Sequence, residues 1–172
     1  VTLDAGATPA PRKLGSLERV RAFLSARGLE GGLVAFDDRS TKTCELAAEA
    51  VGCEVGQIVK SLVFVADGRP VLALVAGDRR GDTGAIGKLV GAKKVHFADA
   101  DTVRAATGYA IGGVSPYDLP DELTVLVDDS LARFDVVFTA AGTPSSMVRI
   151  PRETLFELAG GQVARISRQQ QP

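Results

Sequence analysis

The sequence predicts an α+β fold built on a mixed sheet, and three observations carry that prediction. Two apolar runs, Ile58 to Ala66 and Val71 to Ala76, flank Asp67-Gly68-Arg69-Pro70 and read as a β-hairpin. Capping residues and helix-stopping glycines bracket short amphipathic stretches on both sides of that hairpin. Helical segments are interleaved with hairpins and do not alternate strictly with single strands, which disfavours a doubly wound parallel sheet. A chain of 172 residues, 45% hydrophobic and 24% charged, is the size of one domain able to bury a sizeable core.

In chain order, residues 1–15 are rich in small side chains and proline and read as a tail. Ser16 is the expected N-cap of a helix with Leu17, Val20 and Leu24 on one face and Gly28 as its stop. Gly32 to Phe36 reads as a strand. Ser40 or Thr41 would cap a second helix, apolar at Leu46, Ala47 and Ala50 and ending at Gly52. After the hairpin, Asp82 and Asp99 are expected caps of two short helices ending near Gly91 and Gly108, with a strand at Lys94 to Phe97 between them. Gly108 to Glu122 is loop-like. Leu123 to Val127, Val136 to Thr139 and Met147 to Ile150 are strand-like, the last two joined by a Gly-Thr-Pro-Ser turn. Pro151 suits the first turn of a helix over Arg152 to Ala159, where its missing N–H costs nothing. A strand at Val163 to Ile166 would close a domain spanning residues 16–166, leaving 167–172 as a second tail.

Composition excludes several functional classes. The net charge of -1 gives no whole-molecule attraction to nucleic acid, so any RNA contact needs a local patch. Arg79, Arg80, Lys88, Lys93 and Lys94 form one candidate, although such residues more often make a solvated face. Two cysteines, Cys44 and Cys53, and one histidine, His96, supply neither a disulfide framework nor a zinc site. The thiols are read as reduced and the chain as cytoplasmic, without a membrane span or secretory leader. No phosphate-binding or dinucleotide-binding glycine motif is present, so no cofactor is expected. Ser115 has no histidine partner, and His96 reads as an edge-strand residue, so an activated nucleophile of the Ser-His-Asp or Cys-His type is disfavoured.

Two features stand above this background. Lys60 interrupts an apolar strand and, by period-two alternation, shares a face with Ile58, Leu62 and Phe64. It is either an edge charge that guards against aggregation or a fixed cation, or base, at the rim of an apolar pocket. The second feature is Gly108 to Pro116, in which Gly112 and Gly113 permit unusual backbone conformations and Pro116 stiffens the exit. Such a loop either aims N–H groups at an oxyanion or is a plain tight connection.

Ala47 to Phe64, Gly91 to Asp101, Thr107 to Pro116 and Ala140 to Ile150, in that order, resemble the YbaK family of aminoacyl-tRNA deacylases, related to the editing domain of bacterial prolyl-tRNA synthetase. The resemblance extends from about Leu33 to Ile166, and its most specific parts are the V-K-S-L strand and the G-x-x-x-P loop. It implies a mixed, barrel-like sheet surrounded by helices and hydrolysis of a mischarged amino acid from the 3′ end of tRNA. Lys60 and Gly112 then take catalytic places, and Ser61, Gly113, Val114, Ser115, Pro116 and Gly142 meet the substrate. An aminoacyl ester is an activated bond, so positioning and oxyanion stabilisation suffice without a histidine base. Phe36 and Asp37 stand where the family can carry a histidine, and Ala140-Ala141-Gly142 replaces a serine-containing turn, which favours alanyl over cysteinyl as substrate. An aminoacyl-tRNA synthetase is a possible partner, and neither DNA nor membrane is expected. Two alternatives stay open: a non-catalytic tRNA- or synthetase-binding module of the same fold, and a hydrolase acting on another ester or amide.

Overall fold

In a computed structural model, which describes residues 14–170, the predicted hairpin is the centre of the molecule. Strands β2 (Val59–Ala66) and β3 (Arg69–Ala76) pair along their whole length, from Val59 opposite Ala76 to Ala66 opposite Arg69. Their turn is shorter than the predicted four residues. Asp67 and Gly68 both take positive φ, at 46° and 81°, and this two-residue geometry matches the right-handed twist of the flanking strands. Pro70 consequently lies inside the ladder, opposite Val65. Asp67 also accepts backbone N–H bonds from Lys93 and Lys94, which hold its carboxyl below its usual pKa and tie the turn to the chain leading into the next paired strand.

The other elements surround this hairpin. Before it come α1 (Ser16–Ser25), β1 (Leu33–Ala35) and α2 (Cys44–Val51). After it come β4 (Arg79–Gly81), α3 (Thr83–Val90), β5 (Val95–Phe97) and α4 (Ala100–Thr107). The chain continues through β6 (Thr124–Asp128), β7 (Val136–Ala140), β8 (Ser146–Pro151), α5 (Arg152–Ala159), β9 (Gln162–Ala164) and β10 (Ser167–Gln169). A five-stranded sheet has the order β5-β2-β3-β6-β9, antiparallel in the hairpin and at β5, parallel at β6 and β9. A second sheet, β1-β8-β7, is antiparallel, and β10 pairs with β4 in a separate two-stranded ribbon.

The α+β class and the mixed sheet agree with expectation, but the barrel does not form. Among the described residues the two larger sheets meet through a single parallel bridge, Ile58 to Phe138. Strands β1, β5 and β9 are three residues each, too short for a continuous ladder to run round and close.

Strand β3 is apolar without alternation because both its faces are covered. Leu72, Leu74 and Ala76 pack with Val20 and Leu24 of α1, Val137 and Val148 of the second sheet and Leu155 of α5. Val71, Ala73 and Val75 face the other way, towards Phe64, Ile86, Leu126 and Ile166. The helices end much as their glycines predict: Gly52, Gly91 and Gly108 are left-handed C-caps, and Asp82 and Asp99 cap α3 and α4 by accepting from Ala85 and Thr102 N–H. Two caps differ. Gly15 precedes α1, with Ser16 already helical, and α2 is capped by Thr43, whose hydroxyl accepts from Leu46 N–H at 3.1 Å. That later start turns Ala47 and Ala48 inward and leaves Leu46 exposed.

The C-terminal expectation also changes. The last strand of the larger sheet falls at Gln162–Ala164, and residues 167–169, expected in a tail, form β10. The reason is Asp128, fully buried at the end of β6, which accepts from Ile166 N–H at 3.0 Å and from the Ser167 hydroxyl at 2.7 Å. This carboxylate fixes the chain where its polar composition suggested fraying. The expected tail over residues 1–13 lies outside the described residues.

Candidate active site

Lys60, Ser61, Gly112 and Val114 meet in one cleft of about 450 Å³, within the range of small-ligand sites. The cleft follows from the pairing of β2. Its ladder with β5 covers only Phe64 to Ala66, extended by Ala98 N–H donating to Val63 C=O. From Ser61 back to Val59 the β2 edge runs past the end of β5 and borders the cleft instead. Alternation puts the backbone groups of Ser61 on the same side as those of Val63, facing that opening. This is why consecutive strand residues, whose side chains leave opposite faces, line the same cavity.

Lys60 is half-buried and its ammonium donates to the backbone carbonyl of Arg79. An ammonium has three donors, so two remain for a ligand. Lys60 is paired with Val75 on one side, and on the other side its stretch of β2, beyond the end of β5, borders the cleft. Beside it, Ser61 Oγ is buried and has no hydrogen-bond partner among the described residues. An orphaned buried hydroxyl carries a desolvation cost.

The glycine loop is held from behind. Arg19 of α1 donates to Asp118 Oδ2 at 3.0 Å, to Asp118 C=O at 2.7 Å and to Gly108 C=O at 3.2 Å, spanning both ends of the loop. Tyr109 and Tyr117 are fully buried beneath it, with Tyr109 OH donating to Tyr117 C=O and Thr139 Oγ1 donating to Tyr117 OH. Burial pushes the Tyr109 phenol up to about 12, Arg19 pulling the other way, and raises that of Tyr117 as well, so both serve as neutral struts.

Within this loop the five expected site residues separate. Gly112, with φ 90°, and Val114 border the cleft. Gly113 faces away: its N–H is spent on Ala110 C=O, and a Cβ there would lie 2.8 Å from the carbonyl oxygen of Gly142. Gly142 is in turn pressed against Ser16, so these two glycines allow loop, turn and α1 to touch. Ser115 is fully buried and accepts from Tyr117 N–H, and Pro116 borders a different depression beside α1. The structure thus brings Lys60, Ser61, Gly112 and Val114 to the cavity and places Gly113, Ser115, Pro116 and Gly142 behind it.

Sequence reading missed the opposite wall. Thr41 to Glu45, Phe97, Ile111 and Gln170 also border the cleft. Cys44 is the notable member: burial pushes its thiol from near 9 up to about 11, with Lys60 opposing the shift. A thiol so raised stays protonated at neutral pH and is a poor nucleophile. Nothing local marked this segment, because it reaches the cleft through the packing of α2 against the second sheet. His96 is exposed and bonds its own neighbour, the Phe97 carbonyl.

Comparison with known proteins gives these residues a context. The aminoacyl-tRNA editing domain family matches residues 38–158. "Uncharacterized protein YwhH" of Bacillus subtilis (strain 168) is 34% identical over 149 residues, 86% of this chain and 94% of that protein. The Enterococcus faecalis protein named "Putative Cys-tRNA(Pro)/Cys-tRNA(Cys) deacylase EbsC" is 29% identical over 73% of this chain and 77% of its own length. Proline--tRNA ligase of Nitratidesulfovibrio vulgaris (strain DP4) is 37% identical over 67% of this chain, which spans only 21% of the ligase. A solved structure described as a "putative trans-editing enzyme for prolyl tRNA synthetase" superposes with a TM-score of 0.80 and 39% identity, covering 95% of this chain and 99% of that one. Since the matched residues take in Lys60, Ser61, the whole glycine loop and the Thr41 to Glu45 wall, the chain belongs to the aminoacyl-tRNA editing domain family.

Proposed function

We propose that the chain hydrolyses, in trans, the ester linking a mischarged small amino acid to tRNA, with alanine ahead of cysteine as the amino acid and tRNA(Pro) as its carrier. The observation that carries this reading is the convergence of Lys60, Ser61 and Gly112 on one cleft within a chain of the editing family. Lys60 is the cation for the terminal phosphate or the developing oxyanion. The Ser61 backbone carbonyl, on the β2 edge that β5 leaves unpaired, accepts from the substrate ammonium. The backbone N–H groups of Gly112 and Val114 are the loop donors aimed at the carbonyl. Water attacks, helped by the ribose hydroxyl of the substrate itself, and the amino acid leaves as its carboxylate while the ribose oxygen recovers a proton. No protein nucleophile is needed, in keeping with a protonated Cys44 and with His96, whose ring bonds the Phe97 carbonyl.

The family relation and the names of the relatives support tRNA as carrier; the small-residue preference rests on the cavity. Phe36, in the position where a histidine can stand, packs against Met147 and Ile58 behind the cleft, an apolar wall that suits a methyl group. One methylene or thiol is worth only about 1–3 kcal/mol to such a wall, so discrimination is measured rather than absolute.

The test is a panel of tRNAs charged with Ala, Cys, Ser, Thr and Pro, incubated with the protein and with Lys60→Ala. Release of one amino acid, slowed about 10²- to 10³-fold in the variant, is expected, the range found when an oxyanion donor is removed. Near wild-type release by Lys60→Ala would remove the role given to Lys60. No release from any member above the spontaneous rate would leave a tRNA- or synthetase-binding module.

A further inference from the structure

The β4–β10 ribbon places two arginines directly opposite each other: Arg168 pairs with Arg80, flanked by Ser167 with Gly81 and Gln169 with Arg79. Residues directly opposite on antiparallel strands send their side chains to the same face, and like charges in that position repel. The face is the outer one. A Cβ on Gly81 would sit 2.8 Å from the Phe64 ring, and Ser167 is buried with its hydroxyl on Asp128, so Gly81 and Ser167 point inward. Arg80 and Arg168, one residue on, point outward, and both are exposed.

No carboxylate among the described residues relieves this pair. Among the described residues neither guanidinium has an ion-pair partner, and the acids flanking β4 are already engaged. Asp78 makes a two-pronged pair with Arg133 at 2.7 and 2.9 Å, and Asp82 caps α3. Arg165, also exposed, adds a third positive charge just before β10. On a chain of net charge -1 this is a concentrated, uncompensated cationic surface.

Its location gives it a use. The ribbon abuts the cleft at two points: the Arg79 carbonyl takes the Lys60 ammonium, and Gln170, two residues beyond Arg168, borders the cavity. We propose that Arg80 and Arg168 together form a phosphate clamp for the acceptor end of RNA, holding the backbone next to the nucleotide whose ester enters the cleft. The inference rests on the deacylase reading for the identity of the polyanion, and on the ribbon geometry for the residues. It also explains the repulsion: two guanidiniums with no carboxylate partner among the described residues are available for bidentate contact with phosphate.

The experiment measures binding of uncharged tRNA against KCl concentration for the wild-type chain, the R80Q/R168Q variant and the R80K/R168K variant. Loss of two phosphate contacts should flatten the slope of log K on log[salt] by about 1.5 in the Gln pair and weaken binding several-fold at low salt. The Lys pair should keep most of the slope, which a ribbon serving only to hold the fold would not require. Melting of the Gln pair at or above the wild-type temperature is expected, because a repulsion has been removed. Should the Gln pair unfold, the single variants R80Q and R168Q, each expected to lose half of that change in slope, carry the test. Equal slopes in all three proteins, or no salt-dependent tRNA binding by the wild type, would overturn the clamp while leaving the deacylation panel to stand by itself. A Gln-sensitive slope in a wild-type protein that releases no amino acid would instead retain the clamp and remove the hydrolase.

Discussion

Cys44 shows how one residue can border the candidate cleft and still be a poor nucleophile. Its thiol shares the cavity with the Lys60 ammonium, which should favour the thiolate, yet burial outweighs that attraction and the pKa rises to about 11. The sign of the pH dependence follows. The native state holds this proton more tightly than the unfolded chain, so the associated stability is complete below pH 9 and is lost as pH rises towards 11. Urea denaturation of the wild type and of Cys44→Ala should therefore show the wild type losing stability faster from pH 9 upward. Alkylation by iodoacetamide at pH 8 should be about a hundredfold slower than that of an unhindered cysteine, the factor expected from two pKa units. Rapid alkylation would show the thiol to be activated and would bring it back as a nucleophile.

At the scale of elements, the glycine loop works as a spacer as much as a binding surface. Two of its five motif residues border the cleft; Gly113 and Ser115 to Pro116 are used to set the distance between the loop, the Gly142 turn and α1. Glycine is required at 113 for approach, not for φ, because its backbone is ordinary while a Cβ would meet Gly142 O at 2.8 Å. Gly112 is the converse, with φ 90° and open space around it. Gly113→Ala should thus move the loop against the turn and lower deacylation tenfold or more, with a stability cost of about 1–3 kcal/mol from overpacking. Gly112→Ala should cost about 1 kcal/mol through backbone strain alone. Equal turnover in Gly113→Ala and wild type would show that the loop position does not govern the reaction.

For the whole molecule, the decisive contact is one buried carboxylate. Asp128 ends a parallel strand in the larger sheet and accepts from Ser130, Ile166 and Ser167, joining β6 to the chain that enters the β10 ribbon. Through the ribbon it also positions β4, whose Arg79 carbonyl holds Lys60. Asp128→Ala leaves several buried donors without an acceptor and should cost about 3 kcal/mol or more, read as a fall in the urea midpoint with unchanged slope. It should also lower turnover, since the support of Lys60 is loosened. A loss under about 1 kcal/mol would mean that water replaces the carboxylate and that the ribbon is held by other contacts.

Much of this architecture was legible in the residues. The hairpin, the caps at Asp82 and Asp99 and the C-terminal glycines of three helices are local signals, set by φ, by a capping side chain or by an apolar run, and each appears in the fold. The order of four motifs likewise pointed to the editing family, which the comparisons bear out. What local chemistry could not settle were contacts between residues far apart in the chain. Whether the sheets close depends on how far the chain around β2 pairs with β7, and the answer is one bridge, made by Ile58 just before β2. Which glycines face a cavity and which face each other depends on how the loop packs against the turn. A polar C-terminus became a strand because a carboxylate about forty residues earlier needed its N–H and hydroxyl donors. Pairing energies of that kind are exerted through space and leave no trace in the spacing of neighbouring residues, so they became visible only once the chain was folded.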